Sequence, residues 1–232
     1  MWEKRPKKTL YTLNIGNYAP DVLAITFPLM KHWARKIGAE FHVIDSRAFP
    51  EHYHVTYEKF QIYELAQKHD NDWNIYLDAD ALVHPEMFDP TEFIPRDTVA
   101  HHGKDMANVR WKYDRVFRRD GRHIGSGNWL AIASSWCIEL WKPLEDITYE
   151  EAVRNITITV NEANTVIKPD HLIDDYTCSR NIATYGLRFT TVTDICTNLG
   201  WKGSPYFWHQ YTFGVEEKVM QMKKVLKEWG IA

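Results

Sequence analysis

Ile75-Tyr76-Leu77-Asp78-Ala79-Asp80-Ala81-Leu82-Val83 places two carboxylates two residues apart, directly after an apolar, strand-like run. Ligands of open α/β sheets bind at the carboxyl ends of strands, so a site is expected at this point of the chain. A nucleoside diphosphate carries two phosphates and needs its charge neutralised. A hard divalent cation held by one or two carboxylates, with phosphate oxygens and water in its other positions, meets that need. As a diphosphate leaves, such a cation stabilises the negative charge that develops. Asp-x-Asp by itself is common in surface turns. Context sets this copy apart: an apolar strand runs into it, an apolar run follows, and the elements before it alternate as an α/β sheet requires. Two other phosphate chemistries use similar pairs. A phosphatase nucleophile usually lies on the first strand with Thr close behind, whereas this pair follows the third strand and Ala81-Leu82 comes next. A polymerase-like nucleotidyltransferase usually shows Gly-Ser before its acidic pair, whereas Gly125-Ser126 lies after this one.

The elements that must position the pair are legible from periodicity. Residues 8–14 form a first strand, and Gly16-Asn17-Tyr18-Ala19-Pro20 is loop chemistry. Over 21–37, Leu23, Phe27, Met30 and Ala34 recur at helical spacing, and Gly38 stops the helix. Residues 41–44 are a short buried strand, 57–69 an amphipathic helix and 73–77 a third strand. This β-α-β-α-β order predicts a parallel sheet with helices on its faces. The second half is less regular. A strand is expected over 98–102, a long loop or short helix over 103–121, a strand over 128–133, and a helix through Trp136, Ile138, Leu140 and Trp141. Residues 148–166 are expected as a helix, although 156–160 carry β-like side chains. A helix over 170–185 ending at Gly186, a strand over 187–192 and a closing helix over 215–229 complete the pattern. Val219, Met222, Val225 and Leu226 line one face of that last helix.

Four segments in this order resemble the GT-A fold glycosyltransferases, particularly the glycogenin-like and galactosyl/xylosyltransferase families. They are Thr12-Leu13-Asn14 at the end of the first strand, residues 57–65 just before Asp78-Ala79-Asp80, Gly125-Ser126-Gly127-Asn128 running into a strand, and Pro169 to Tyr176 opening a helix. The match spans most of the chain. It implies one α/β domain of the GT-A, Rossmann-like type with a mostly parallel mixed sheet. About residues 1–103 would bind the nucleotide sugar, and about 104–232 would complete the sheet and form the acceptor cleft. The implied activity is transfer of a hexose from a UDP-sugar, with UDP-glucose or UDP-galactose as first expectations, to a hydroxyl of an acceptor, expected to be a glycan. Two rival readings stay open: another metal-dependent phosphate enzyme, or a UDP-sugar-binding module without catalysis.

The resemblance assigns Asp80 direct contact with the metal, Asp78 a bridge between metal and ribose, and His209 the third protein ligand. Imidazole favours manganese, with magnesium as the alternative. Ala79 lies within the donor-binding turn. Thr12 and Asn14 would bond uracil or ribose, simple strand-end capping being the plain alternative. Lys59 would face the donor; a solvated helix face is its alternative. Gly125, Ser126 and Gly127 would let the backbone pass close to the donor sugar. Asp174 and Asp175 are the expected catalytic carboxylates, as general base in an inverting enzyme or orienting groups in a retaining one. Charge compensation at a helix N-terminus accounts for them equally simply. In the glycogenin-like pattern a glycine and then a diphosphate-binding lysine follow the histidine. Here Gly214 follows with no Lys-Pro pair, so Lys202 is the expected substitute. His101, His102, Asp105 and Arg110 are expected in a loop over the donor, and Arg118, Arg119 and Arg122 on a solvated face. Trp201, Tyr206 and Trp208 would either stack on a sugar or pack the last loop.

Composition excludes other classes. A net charge of −3 is not the basic footprint of a general nucleic-acid binder. No stretch has the length of a membrane span, and the charged N-terminal residues show no signal-peptide apolar region. Cys137, Cys178 and Cys196 lack metal-ligand spacing and are odd in number, which points to the cytoplasm or another reducing compartment. The sequon at Asn155 is then incidental. Aromatic residues reach 14%, fitting either an aromatic core or a sugar-stacking surface.

Overall fold

The computed structural model describes residues 6–103, 129–156, 159–160, 166–202, 205–210 and 213–231. Gly125, Ser126, Gly127 and Asn128 lie outside the described residues, as do Asp105, Arg110, Arg118, Arg119 and Arg122. In chain order the elements are β1 (Lys8–Leu13), α1 (Pro20–Lys36), β2 (Ala39–Ile44), a 3₁₀ helix (Val55–Gln61), α2 (Ile62–His69), β3 (Trp73–Leu77), β4 (Leu82–Val83), β5 (Thr98–His101) and β6 (Leu130–Ser134). There follow a 3₁₀ helix (Ser135–Trp141), α3 (Tyr149–Asn155), β7 (Thr159–Val160), β8 (Val166–Ile167), α4 (Ile173–Tyr185), β9 (Arg188–Thr191), α5 (Val192–Asn198), β10 (Phe207–Trp208) and α6 (Val215–Glu228).

Six strands form one sheet in the order β2-β1-β3-β6-β5-β9. β1 runs parallel to β2 and β3, β5 runs parallel to β9, and β6 alone is antiparallel to its neighbours β3 and β5. Side chains of a strand alternate between faces, and both faces here are covered. Leu10, Ile75, Leu77, Leu130 and Ile132 pack into one core with Met30 and Trp33 of α1 and Val192 and Ile195 of α5. Tyr11, Tyr76, Ala131 and Ala133 pack into the other, with Phe60, Ile62, Trp141, Tyr176 and Ile182. All five residues of β3 are therefore buried, and the strand delivers its end to the middle of the molecule.

α1 starts where Ala19 takes a left-handed conformation and Pro20 supplies the preset φ of a first helical position. Gly38, at φ 70°, turns the chain out of it into β2. Trp33 ties this helix to the segment before His209: its ring meets Phe207 edge-on at 5.6 Å, and its indole N–H donates to the Phe88 carbonyl at 3.3 Å. Trp33 is fully buried, so Trp33→Ala is expected to cost about 3–5 kcal/mol, measured by urea unfolding. A loss under about 1 kcal/mol would contradict this packing.

The expected helix over 148–166 is corrected. α3 ends at Asn155, Ile156 is extended at ψ 126°, and Thr159–Val160 pairs antiparallel with Val166–Ile167. The β-branched run starting at Ile156 disfavours helix, as its side chains prefer pleated backbone. The helix expected through Trp136 is instead a 3₁₀ segment, capped by Ser134 and interrupted at Cys137. The three cysteines are buried and unbridged. Among the described residues no helix is long and apolar enough to cross a membrane.

Candidate functional site

The turn after β3 is held from three sides. The Asp78 N–H donates to the Trp129 carbonyl at 2.8 Å, and the Ala81 N–H to the Asp78 carbonyl at 3.0 Å. The Thr26 hydroxyl of α1 donates to the Ala79 carbonyl at 2.6 Å. A two-residue pairing then brings in the far end of the chain. β4 pairs antiparallel with β10, Leu82 opposite Trp208, so His209 emerges beside the carboxylates. Its Nε2 lies 3.3 Å from Asp80 Oδ1 and 3.7 Å from Asp78 Oδ2. The imidazole stacks on Trp129 at 4.9 Å and 23°, which sets its plane. Trp129 also meets His102, at 4.3 Å, and Phe207, at 6.1 Å. Burial, then the charge of His209, pushes the His102 imidazole down to about 4, so His102 is uncharged at neutral pH.

One ligand atom each from Asp78, Asp80 and His209 lie within 4.8 Å of one another. Adjacent ligands of an octahedral cation with bonds of about 2.1 Å stand about 3 Å apart. Two carboxylate oxygens and an imidazole at these separations fit one ion of the manganese or magnesium type, and the nitrogen favours the former.

Two lysines flank the pair. Lys59, from the 3₁₀ segment before α2, is 1% exposed. Its ammonium donates to Asp174 Oδ2 at 2.5 Å, lies 3.8 Å from Asp78 Oδ1, and sits over the Tyr76 ring at 4.5 Å. Burial alone would lower the Lys59 pKa; Asp174 and then Asp78 more than reverse this. The Tyr76 hydroxyl donates to Asp78 Oδ1 at 2.5 Å. Burial raises the Asp78 carboxyl above its usual range, against the pull of Lys59 and His209. Burial acts the same way on Asp80, but the hydrogen bond and charge of His209, followed by Lys218, outweigh it and hold Asp80 well below that range. The Lys218 ammonium donates to Asp80 Oδ2, and the Tyr18 hydroxyl meets the same oxygen at 3.4 Å.

Asp78, Ala79, Asp80, His209, Lys59 and Asp174 thus converge. Asp175 is buried in the same first turn of α4. Thr12 and Asn14 stand at the end of β1, the strand beside β3. Thr12 Oγ1 and Asn14 Oδ1 are buried with no hydrogen-bond partner among the described residues. Lys202 is exposed; among the described residues the lysine on Asp80 is Lys218. Tyr206 and Trp208 pack against neighbouring side chains, while Trp201 is half exposed. Sequence reasoning passed over Tyr18, Tyr76, Trp129 and Lys218. One signal was present: Lys218 precedes Met222 by four residues and Val225 by seven, which puts a lysine on the apolar stripe of α6.

No protein-family model matches the chain, and neither does any curated protein. Solved structures do. A glycosyltransferase involved in glycosylation of the major capsid of PBCV-1 superposes with a TM-score of 0.52 at 14% identity, over 94% of this chain and 100% of the other. The galactosyltransferase LgtC, solved with donor and acceptor sugar analogues, superposes with a TM-score of 0.50 at 13% identity, over 93% and 95%.

Proposed function

From a chain that folds as the GT-A glycosyltransferases do, we propose a metal-dependent hexosyltransferase that uses a nucleoside-diphosphate sugar and a hydroxyl acceptor. The observation that carries the reading is the convergence of Asp78, Asp80 and His209 at the end of the central strand. A divalent cation held there, manganese in preference to magnesium, would neutralise the diphosphate and favour its departure. Asp80 and His209 would hold it directly, and Asp78 would face both the cation and the ribose. UDP-glucose and UDP-galactose are the first donors to test, and a glycan the first acceptor.

The remaining residues bind and orient. Thr12 and Asn14 face the base and ribose. Leaving a buried acceptor such as Asn14 Oδ1 unpaired costs about 1–3 kcal/mol, and a donor N–H on the base would relieve that cost. Of the two acidic residues opening α4, Asp174 is tied to the centre through Lys59. A carboxylate already bonded to an ammonium is suited to orienting sugar hydroxyls, and we assign it that role, with Asp175 of the same helical turn as the second carboxylate. Lys59 is the strut between Asp78 and Asp174. The diphosphate-facing cation is Lys218 in preference to the exposed Lys202. By the sequence resemblance alone, Gly125, Ser126 and Gly127, which lie outside the described residues, are assigned to the donor sugar, residues 1–103 to the nucleotide half and 104–232 to the acceptor half. Three buried, unbridged cysteines support a reducing compartment.

A thermal-shift panel of nucleoside diphosphates and their sugars, with manganese and then with chelator, tests this. Ligand at about 100 Kd stabilises by about 2.7 kcal/mol, so UDP with manganese should raise the melting temperature by roughly 5–10 °C, and chelator should remove the shift. Hydrolysis of phosphoesters with no response to UDP compounds would favour a phosphatase or nucleotidyltransferase. UDP binding with UDP-sugars left intact in the presence of glycan acceptors would favour a binding module.

A further inference from the structure

Lys218 stands in the first turn of α6, where its N–H donates to the Gly214 carbonyl at 2.8 Å. It is 3% exposed, and its ammonium bonds Asp80 Oδ2. The other oxygen of the same carboxylate, Oδ1, is the one that faces His209. Tyr18, which shares Oδ2, is 43% exposed, so the ammonium lies just beneath the solvent side of the site. The backbone of α6 is anchored, since Met222 packs with Val22 of α1 and Leu82 of β4. The four-carbon stem of Lys218 carries the rotatable bonds through which the ammonium can change partner while the helix stays in place.

A buried ammonium does not leave its carboxylate without another anion to receive it, because an unpaired buried charge is strongly disfavoured. A divalent cation binding between Asp80 Oδ1 and His209 meets the repulsion of that ammonium. A diphosphate arriving at the same cation brings oxygens that accept the ammonium in place of Asp80 Oδ2. We propose that Lys218 is a resident counter-ion that exchanges Asp80 for the diphosphate of the donor, and that this exchange makes cation and nucleotide binding cooperative. The inference rests on the donor reading above and adds to it a mechanism by which the free protein discriminates against cation alone.

The test measures Mn²⁺ affinity by electron paramagnetic resonance, with and without UDP, on the chain and on Lys218→Met. In the unmodified chain Mn²⁺ alone is expected to bind weakly and UDP to tighten it by about 5–150-fold, the usual range of coupling between sites. In Lys218→Met, Mn²⁺ alone should bind about tenfold tighter, and the UDP enhancement should shrink by the same factor, because in the UDP complex the ammonium has already left Asp80 and Mn²⁺ affinity there should be unchanged. Direct contact of the cation with phosphate keeps some enhancement in either protein. Lys218→Gln removes the charge but keeps a donor for Asp80, so it should behave as Lys218→Met and serves if that variant folds poorly. Lys218→Arg keeps the charge and should bind Mn²⁺ alone as weakly as the unmodified chain. Equal affinity for Mn²⁺ alone in Lys218→Met, Lys218→Gln and the unmodified chain, with unchanged enhancement, overturns the exchange and leaves the donor reading standing. An unmodified chain that binds neither Mn²⁺ nor UDP overturns both.

Discussion

Asp80→Asn is expected to reduce sugar transfer at least about 1,000-fold, the scale on which loss of a main electrostatic stabiliser acts. The carboxylate it removes is the nearer of the two to His209, at 3.3 Å against 3.7 Å for Asp78. An amide is a poor ligand for a hard cation beside a diphosphate, so UDP and manganese together should no longer raise the melting temperature. A second effect runs alongside. Lys218 keeps its ammonium but loses an anionic partner inside a buried site. The amide oxygen still accepts a hydrogen bond, so the stability cost is about 1–3 kcal/mol, or several degrees in melting temperature for a chain of this length. The double variant Asp80→Asn/Lys218→Met separates the two effects. Removing both charges should restore the melting temperature and leave transfer abolished. Transfer by Asp80→Asn at the rate of the unmodified chain would remove the metal assignment altogether.

Lys59→Met is expected to be among the most destabilising single changes in the protein. Lys59 is enclosed between Asp174 and Asp78, with the Tyr76 ring beneath. Methionine keeps all but the last atom of the side chain's length and deletes the charge. Two carboxylates are then left in a buried pocket without their shared cation. Breaking a buried ion pair from one side costs about 3–5 kcal/mol, a fall in melting temperature of the order of 10 °C for a chain this long. Lys59→Met/Asp174→Asn should recover most of that loss, because it removes the Asp174 charge as well as the ammonium. The cycle should show a coupling of about 2–3 kcal/mol. If Lys59→Met melts within about 2 °C of the unmodified chain, the buried strut between Asp78 and Asp174 has no energetic weight.

Much of the first half was legible because its signals are local. A helix of 17 residues with regularly spaced apolar positions, and a five-residue strand that is apolar or aromatic except at Asn74, announce themselves in a short window. The ending of β3 in Asp78-Ala79-Asp80 needed only the rule that α/β sites lie at the carboxyl ends of strands. Where local signals conflicted, the reading failed: the segment 148–166 mixes a Thr148 capping box, a helix start, with β-branched residues, and among its described residues only α3 is helical.

The residues themselves determined the α/β alternation, the acidic pair and the order of the segments around it. Tertiary structure decided what those groups touch. β4 and β10 are two residues each, too short for any periodicity, yet their pairing carries His209 across 129 positions to Asp80. Lys59 and Asp174 are 115 residues apart, and Lys218 and Asp80 are 138 apart. A sequence shows that a lysine interrupts an apolar stripe, but not which carboxylate will meet it. That choice is made by closure of the sheet and the packing of α6 on α1, which bring distant charges into one low-dielectric pocket where each must find a partner.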